Sequence, residues 1–436
     1  LHSFPTRRSS DLHIETLNLF PAIERKQLTG AAVFEDGQMY NPPRLVLGFV
    51  SAADELGAAV ANYVEAEKLL MDGSRVKGVS AIDRLDGTRF EIRARLVVNA
   101  AGPWAEGLLP PGSGIGHPGT YSRDACFVVS RKTDSPMGLA VLGHTRDADS
   151  FLARSARHLF IVPWRDVTLV GVWHRLVDRE PDTVGLSRPE MGEFLDEINA
   201  CYPALQLQES EVQMAGFGLV PFGEAARQQK GLSFGKQSHL IDHRERGVKG
   251  LVTLISVRYT IARRDAAAVM DCAVEQLGPR IAMNDSDRRP LPGGAIEDFQ
   301  GFARDVAARR PEWLPRDAAE QLTRNYGTRA MRVLALAERE PALRRCLRGS
   351  RVSFAELAYA VREEMAERMT DLVFRRTELG TAGHPGDEAL EDLQEFLRIE
   401  RGWSERRIGQ ERAAVERHLE RYLAATRPRL TLLRSA

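Results

Sequence analysis

The sequence predicts an α/β fold in which a lobe with parallel strands is interleaved with a mostly antiparallel lobe, and an all-α C-terminal domain follows. Twice, at Leu96–Gly102 and Leu251–Thr260, an apolar strand ends in a short turn that leads towards a helix. Five strand-like runs dominate residues 121–257. After about residue 290 the strand signals disappear and helical periods take their place.

Length and composition narrow the class of protein. The 436 residues exceed one compact core, so two or more domains of roughly 100–200 residues are expected. The 60 basic and 60 acidic side chains leave no net field to attract nucleic acid. No apolar run approaches the roughly 20 residues of a membrane-spanning helix. The four cysteines lie far apart without ligand spacing, which predicts neither a metal site nor a disulfide framework.

The first twelve residues, LHSFPTRRSSDL, lack the order of a signal peptide. Read back through the genetic code, they match one reading frame of a common sequencing adapter. We therefore exclude residues 1–12 from the fold and expect the natural chain to have been cut upstream of residue 13. A disordered basic tail is the alternative.

The elements follow in order along the chain. Before the first small-residue turn we predict a helix at 44–57, a strand at 58–64 and a hairpin at Asp86-Gly87 joining 76–82 to 89–94. The later strand runs are ACFVVS, HLFIVPW, VTLVGVW, VQMAGFGLV and LVTLISV, interrupted by a helix at Arg188–Ala200. A long helix ending at Gly278 follows the second turn. The predicted C-terminal helices are Phe302–Arg310, Asp317–Arg324, Arg329–Arg339, Phe354–Arg375 and Leu390–Leu423.

Six segments between about Leu19 and Leu379 together resemble a known family. They are LFPAI with RLVLGF, VVNAAGPWA, FIVPWRDVTLVGV, LISVRYTIAR, PLPGGAIE with NYG, and AVREEMAERMTDLVFRRTELG. The chain resembles the FAD-dependent, aerobic, quinone-linked glycerol-3-phosphate dehydrogenases, within the amino-acid-oxidase-like flavoprotein superfamily. The order and spacing of the segments are more specific than any one of them.

The resemblance implies a division of the chain. An FAD-dependent oxidoreductase domain is expected over residues 13–285, and a helical domain over 290–425. Within the first, an FAD-binding Rossmann-like lobe would comprise 13–120 and 245–285, and a substrate lobe 121–244. No GxGxxG follows a strand in this sequence, so we expect the first βαβ unit, which carries that fingerprint, to lie upstream.

The first small-residue turn matches the family's second cofactor-contacting turn. The resemblance therefore implies cofactor binding by Asn99, Ala100, Ala101, Gly102 and Pro103, where the lack of bulk lets the backbone meet the dinucleotide. A glycine turn that serves only packing is the alternative.

The second turn, at Arg258, Tyr259 and Thr260, matches the family's K-x-T turn, whose lysine lies beside flavin and substrate. These three residues are expected to bind the cofactor. A cation and a helix N-terminus there would stabilise reduced flavin. Arg258 keeps the charge but essentially never deprotonates, so its catalytic role would be that of a clamp. An arginine that merely caps a surface turn is the alternative.

His174 ends the strand VTLVGVWH and is our candidate for the catalytic base. Oxidation of a secondary alcohol needs a group that takes the hydroxyl proton, and a histidine with a pKa near about 6.5 suits that role. Most single histidines are structural or merely exposed. The weaker candidates are His144, His158, His239 and His243, the last of which we expect in a surface turn.

Three positions depart from the family pattern. Ser256-Val257 stands where close members have Gly-Gly. Gly218 stands near the position at which the family's A-G-x-R-P segment has its phosphate-binding arginine, and Cys126 stands where the family has a substrate-side histidine. Losing a bidentate phosphate partner is not neutral, because the fork of arginine matches phosphate oxygens. The departures leave two alternatives open: an oxidase of amino or hydroxy acids, and a flavin-free protein with a decayed site.

The expected function is FAD-dependent oxidation of sn-glycerol 3-phosphate, or a close phosphorylated polyol, to the ketone dihydroxyacetone phosphate, with quinone as electron acceptor. Neither a metal nor nucleic acid is expected. We expect a cytoplasmic protein at the periphery of the inner membrane, and homodimer formation stays open.

Overall fold

The computed structural model describes residues 9–26, 28–109, 120–133, 135–144, 158–177, 184–222, 238–278 and 285–423. The strands are β1 (Val64–Asp72), β2 (Arg75–Asp83), β3 (Arg89–Arg93), β4 (Val97–Asn99), β5 (Thr120–Val129), β6 (Leu139–Leu142), β7 (His158–Trp164), β8 (Val167–Val177), β9 (Val212–Phe222), β10 (His239–Asp242) and β11 (Leu251–Ile255). The longer helices are α1 (Ser9–Leu19), α2 (Pro42–Glu55), α3 (Arg188–Cys201), α4 (Ala262–Leu277), α5 (Phe299–Ala308), α6 (Arg316–Tyr326), α7 (Ala330–Arg339), α8 (Phe354–Glu363), α9 (Asp387–Arg401) and α10 (Glu405–Leu423).

The amino-terminal region agrees with the sequence in one helix and departs from it in one strand. Residues 1–8 lie outside the described part, and α1 crosses the expected boundary at residue 12. Helix α2 begins where the Asn41 side chain accepts a hydrogen bond from the Arg44 amide. The strand predicted at 58–64 is wrong, because this stretch docks on the helical domain: the Tyr63 hydroxyl donates to Asp371 at 2.9 Å. The first strand begins only at Val64.

A small sheet with one parallel pair forms the first half of the site. Its order is β10-β11-β4, with β11 parallel to β4 and antiparallel to β10. Helix α4 packs on β11 through a face that buries Val269 and Ala273. Strand β10 lies in the stretch 121–244 expected for the substrate lobe, yet it pairs with β11, so the parallel-strand lobe begins before His239. The meander β1-β2-β3 is a separate antiparallel sheet.

The second half of the site is a five-stranded antiparallel sheet of order β6-β7-β8-β5-β9. Helix α3 covers one face, where Phe127, Trp173 and Phe194 are buried and their rings lie 4.4 and 5.1 Å apart. Because side chains alternate along a strand, the neighbouring residues point to the opposite face. The mostly antiparallel lobe predicted from the sequence is therefore confirmed.

The carboxyl-terminal domain is helical, as predicted, but two predicted helices are interrupted. The expected helix Phe354–Arg375 ends at Glu363, and a short turn with a π-helical continuation follows at 369–376. Arg376 stabilises the break, since its Nε donates to the Glu364 carbonyl at 2.7 Å. The expected helix Leu390–Leu423 is divided at Gly402, which has a φ of +63°. Among the described residues, none of the helices is both long and apolar enough to span a membrane.

Candidate functional site

The first corner of the site follows β4. The Asn99 amide donates to the Ala105 carbonyl at 2.9 Å, and its oxygen accepts from the Ala101 amide at 3.2 Å. Asn99 is buried, so its side chain shapes the turn from inside. Gly102 has a φ of +58°, and no heavy atom lies within 4 Å of the position that a Cβ would take. The corner is therefore open towards a ligand at Gly102, next to the 3₁₀ helix Gly102–Leu108.

The second corner follows β11 and leads into α4. The Ser238 and Ser256 hydroxyls both donate to Asp265 Oδ2, at 2.6 and 2.7 Å, which ties the corner to the first turn of α4. Ser256, where relatives of the resembled family carry glycine, thus has a structural partner. Arg258, with Tyr259 and Thr260 after it, is exposed.

The two corners lie at the same edge of the sheet. Strands β4 and β11 are parallel, with Thr253 opposite Asn99, so both chains leave the sheet in the same direction. Ala105 and Ile255 pack together, and both are completely buried. Helix N-termini and small-residue turns at the carboxyl ends of parallel strands are the usual place for ligands in such sheets. The structure therefore brings the two sequence-predicted segments together.

A large cavity of about 1830 Å³ lies on the face of the antiparallel sheet that α3 leaves open. Its floor is a row of small residues, in which Cys126 of β5 lies opposite Gly171 of β8 and Gly216 of β9. Residues 28–43 form one wall, and His418 and Tyr422 of α10 form another. The small side chains of this central row leave space above the sheet for a flat ligand.

His174 and Asp124 lie on this same open face, one row further along the sheet. The two residues are opposite each other in the β5–β8 register. Both side chains are partly buried. Burial and the Asp124 carboxylate raise the pKa of the Cys126 thiol to about 11, so the thiol stays protonated at neutral pH.

The other candidate histidines have less suitable places. His243 is fully buried, its Nε2 lies 2.9 Å from the Thr253 hydroxyl, and burial lowers its pKa. It is a core residue, so the expectation of a surface turn is wrong. His239 lies in β10, in the small sheet. His144 and His158 are exposed at the cavity.

Arg165, which the sequence gave no reason to single out, holds one wall of the cavity. Its guanidinium donates to the Tyr40 carbonyl at 2.7 Å and to the Thr381 hydroxyl at 2.6 Å. It pairs with the buried Glu378 at 3.4 Å and lies 4.1 Å from the Trp164 ring centre. Since Tyr40 belongs to the segment 28–43, Arg165 joins that segment to the sheet and to the helical domain.

Comparison with known proteins places this geometry in a family. Residues 7–249 match the family model described as FAD dependent oxidoreductase, and the chain belongs to that family. Its cofactor is FAD, as predicted. Residues 285–408 match the model of the C-terminal domain of alpha-glycerophosphate oxidase.

Individual relatives agree with the family match. A glycerol-3-phosphate dehydrogenase of Synechocystis is 27% identical over 92% of this chain and 73% of its own length. The aerobic glycerol-3-phosphate dehydrogenase of Staphylococcus epidermidis is 24% identical over 83% of this chain and 64% of its own length. The mouse mitochondrial enzyme is 26% identical, and the chain covers 55% of it. The chain thus spans between about half and three quarters of these relatives.

A solved structure shares the fold. The glycerol-3-phosphate dehydrogenase of Bacillus halodurans, solved in complex with FAD, superposes with a TM-score of 0.73 over 95% of this chain and 80% of its own, at 22% identity. The predicted combination of an α/β domain and a helical C-terminal domain is therefore confirmed.

The residues at the sheet edge fit FAD. Gly102 leaves space for close backbone approach, and Trp104 and Tyr259 are 54% and 58% exposed at the two corners. Exposed aromatic faces beside an open turn suit a ligand with planar rings. The residues that fit FAD are those of the two corners, Asn99–Gly102 and Arg258–Thr260.

Proposed function

We propose that this protein catalyses the FAD-dependent oxidation of sn-glycerol 3-phosphate to dihydroxyacetone phosphate. The observation that carries the proposal is the meeting of the Asn99–Gly102 and Arg258–Thr260 corners at one sheet edge, in a chain of the FAD dependent oxidoreductase family. The relatives named glycerol-3-phosphate dehydrogenase support the choice of substrate.

Each site residue has a chemical task in this proposal. Asn99, Ala100, Ala101, Gly102 and Pro103 would hold the cofactor by close backbone approach, and Tyr259 and Thr260 would border it at the second corner. FAD, when bound, supplies the acceptor for the hydride and the electron pair of the substrate C–H bond. Arg258 would clamp negative charge near the start of α4, where the helix N-terminus has the same sign. His174 would accept the hydroxyl proton.

We further propose that quinone accepts the electrons and that the protein works at the cytoplasmic periphery of the inner membrane, because quinones dissolve in the membrane. The phosphorylated polyol is the small-molecule partner.

A flavin-reduction experiment tests the proposal. The chain is saturated with FAD, separated from free cofactor and mixed anaerobically with sn-glycerol 3-phosphate while the flavin absorbance is followed. We expect a yellow protein that this substrate bleaches. Bleaching only by an amino or hydroxy acid would instead support an oxidase of such acids, and a yellow protein that none of these substrates bleaches would contradict the proposal.

Arg258→Ala sharpens the same experiment. We expect flavin reduction to slow by about tenfold or more, the effect of losing roughly 1.4 kcal/mol of transition-state stabilisation. Arg263→Ala removes an exposed arginine from α4 and is the matched control. Equal rates in both variants would remove Arg258 from the site.

A further inference from the structure

The row of the antiparallel sheet that contains His174 also contains a carboxylate. Asp124 of β5 lies opposite His174 on β8 and opposite Gly218 on β9. Residues directly opposite in antiparallel strands point to the same face, with Cβ atoms about 4.5–5.5 Å apart. The sequence neighbours Arg123 and Arg175 reach Glu190 of α3 on the covered face. Asp124 and His174 therefore share the open face.

This pair lies next to the cavity on the open face of the sheet. The row of Cys126, Gly171 and Gly216 lines the cavity and lies about 7 Å away, two residues along β5 and β9. On β8 the offset is three residues, because the register shifts between Ala125 and Cys126 of β5. The 3₁₀ helix Gly102–Leu108 contacts β9, the strand that contains Gly218. The pair is therefore one row of the sheet away from the residues that line a ligand cavity, a place that suits a proton acceptor.

The Asp124 carboxylate is itself oriented. The Ser122 hydroxyl, which is completely buried, donates to Asp124 Oδ1 at 2.6 Å. A carboxylate that is fixed in this way can hold an imidazole in one orientation and one tautomer. Gly218, the third residue of the row, has no side chain that could come between the carboxylate and the cavity.

We propose that Asp124 is a positioning residue that orients His174 and stabilises its protonated ring. The substrate hydroxyl would pass its proton to a ring nitrogen of His174 while the hydride of the same carbon leaves, with its electron pair, for oxidised FAD. The imidazolium that forms is then compensated by the Asp124 charge. The catalytic part of this inference rests on the proposed function, whereas the pairing of Asp124 with His174 does not.

Few other titratable groups compete for this role among the described residues. Cys126, the next residue of β5 on the same face, is kept as a neutral thiol. Glu106 belongs to the neighbouring 3₁₀ helix, and its charge acts on Tyr121 at the start of β5. Neither group lies opposite His174 in the register.

The pairing is tested by nuclear magnetic resonance of protein with isotope-labelled histidine rings, titrated in the presence and absence of FAD. His174→Asn identifies the signal of this ring. We expect Asp124→Asn to move the midpoint of the His174 titration down by about one pH unit, the usual size of the effect of an adjacent carboxylate. Asp196→Asn removes an exposed carboxylate from α3, on the other side of the sheet, and should leave the midpoint unchanged.

Two further variants keep the inference falsifiable. Asp124→Glu retains the charge, and we expect its His174 titration midpoint to lie close to that of the unmodified protein. The inference is overturned if the midpoint is the same in the unmodified protein, Asp124→Asn and Asp124→Glu, with circular dichroism showing that all three are folded.

A kinetic measurement separates this inference from the proposed function. If sn-glycerol 3-phosphate bleaches the FAD-loaded protein, we expect the ascending limb of its kcat/KM profile to move to lower pH in Asp124→Asn, together with the midpoint of the ring titration. A limb that stays in place while the midpoint moves would contradict the catalytic role of the pair. Failure of the substrate to bleach the protein would count against the proposed function alone, and the ring titration would still decide the pairing.

Discussion

At the scale of single residues, the floor of the cavity allows a sharp comparison between two glycines. A Cβ on Gly171 would lie 2.9 Å from the Cys126 Cβ, whereas a Cβ on Gly216 would lie 3.6 Å from the Cys126 sulfur. The first distance is a clash with atoms that cannot rotate away, and overpacking of this kind costs about 1–3 kcal/mol. We expect Gly171→Ala to lower the free energy of unfolding in urea by that amount and Gly216→Ala to change it little. Equal losses in the two variants would show that the floor is not packed as described.

Some residues of the site could be predicted from the sequence, and others could not. The corners at Asn99–Gly102 and Arg258–Thr260 could be predicted because each follows an apolar strand, and their role towards the cofactor was what the family resemblance implied. Asp124 could not, since its importance arises from the β5–β8 register, which no single segment determines. The available hint was the pair of adjacent charged residues Arg123 and Asp124 at the start of β5, because neighbours on a strand point to opposite faces.

At the scale of elements, helix α2 is held on the helical domain by a buried ion pair. Arg44 Nη1 lies 2.6 Å from Glu364 Oε2, and the two side chains are 10% and 3% exposed. Removing one partner of such a pair leaves an uncompensated buried charge, at a cost of about 3–5 kcal/mol. We expect Glu364→Gln to lower the free energy of unfolding, measured by chemical denaturation, by this amount. The exposed pair Arg84–Glu65 is the matched control, and Glu65→Gln should have little effect. Similar losses in both variants would contradict the role of Glu364.

The places where helices are interrupted were predicted least well from the sequence. Residues 354–375 have a continuous helical period, yet the helix ends at Glu363, because Glu364 turns to Arg44 and Arg376 satisfies the freed carbonyl. Both partners are distant in sequence or belong to another element, so a local pattern cannot contain this information. The division at Gly402 had a local signal, since glycine readily adopts a positive φ.

At the scale of the whole molecule, a carboxyl group in the helical domain makes stability depend on pH. Burial raises the pKa of Glu356 to about 7, although its Oε2 accepts hydrogen bonds from the Ser353 amide and hydroxyl. Its Oε1 is buried without a partner among the described residues. In the unfolded chain the pKa is near 4.5. Between these values the folded state binds more protons than the unfolded state, so this group makes stability fall as pH rises, and the fall ends above about pH 7.

Glu356→Gln isolates this effect, because it removes the titration and keeps the shape of the side chain. The free energy of unfolding is measured for both proteins in urea at about pH 4.5 and about pH 8. A pKa difference of this size corresponds to about 3 kcal/mol, so we expect the stability of the unmodified protein relative to the variant to fall by that amount between the two values. The other titrating groups are common to both proteins and cancel in the difference. A difference that does not change with pH, or that grows as pH rises, would mean that Glu356 is not the buried, neutral group described, and that the helical domain is packed less tightly around it.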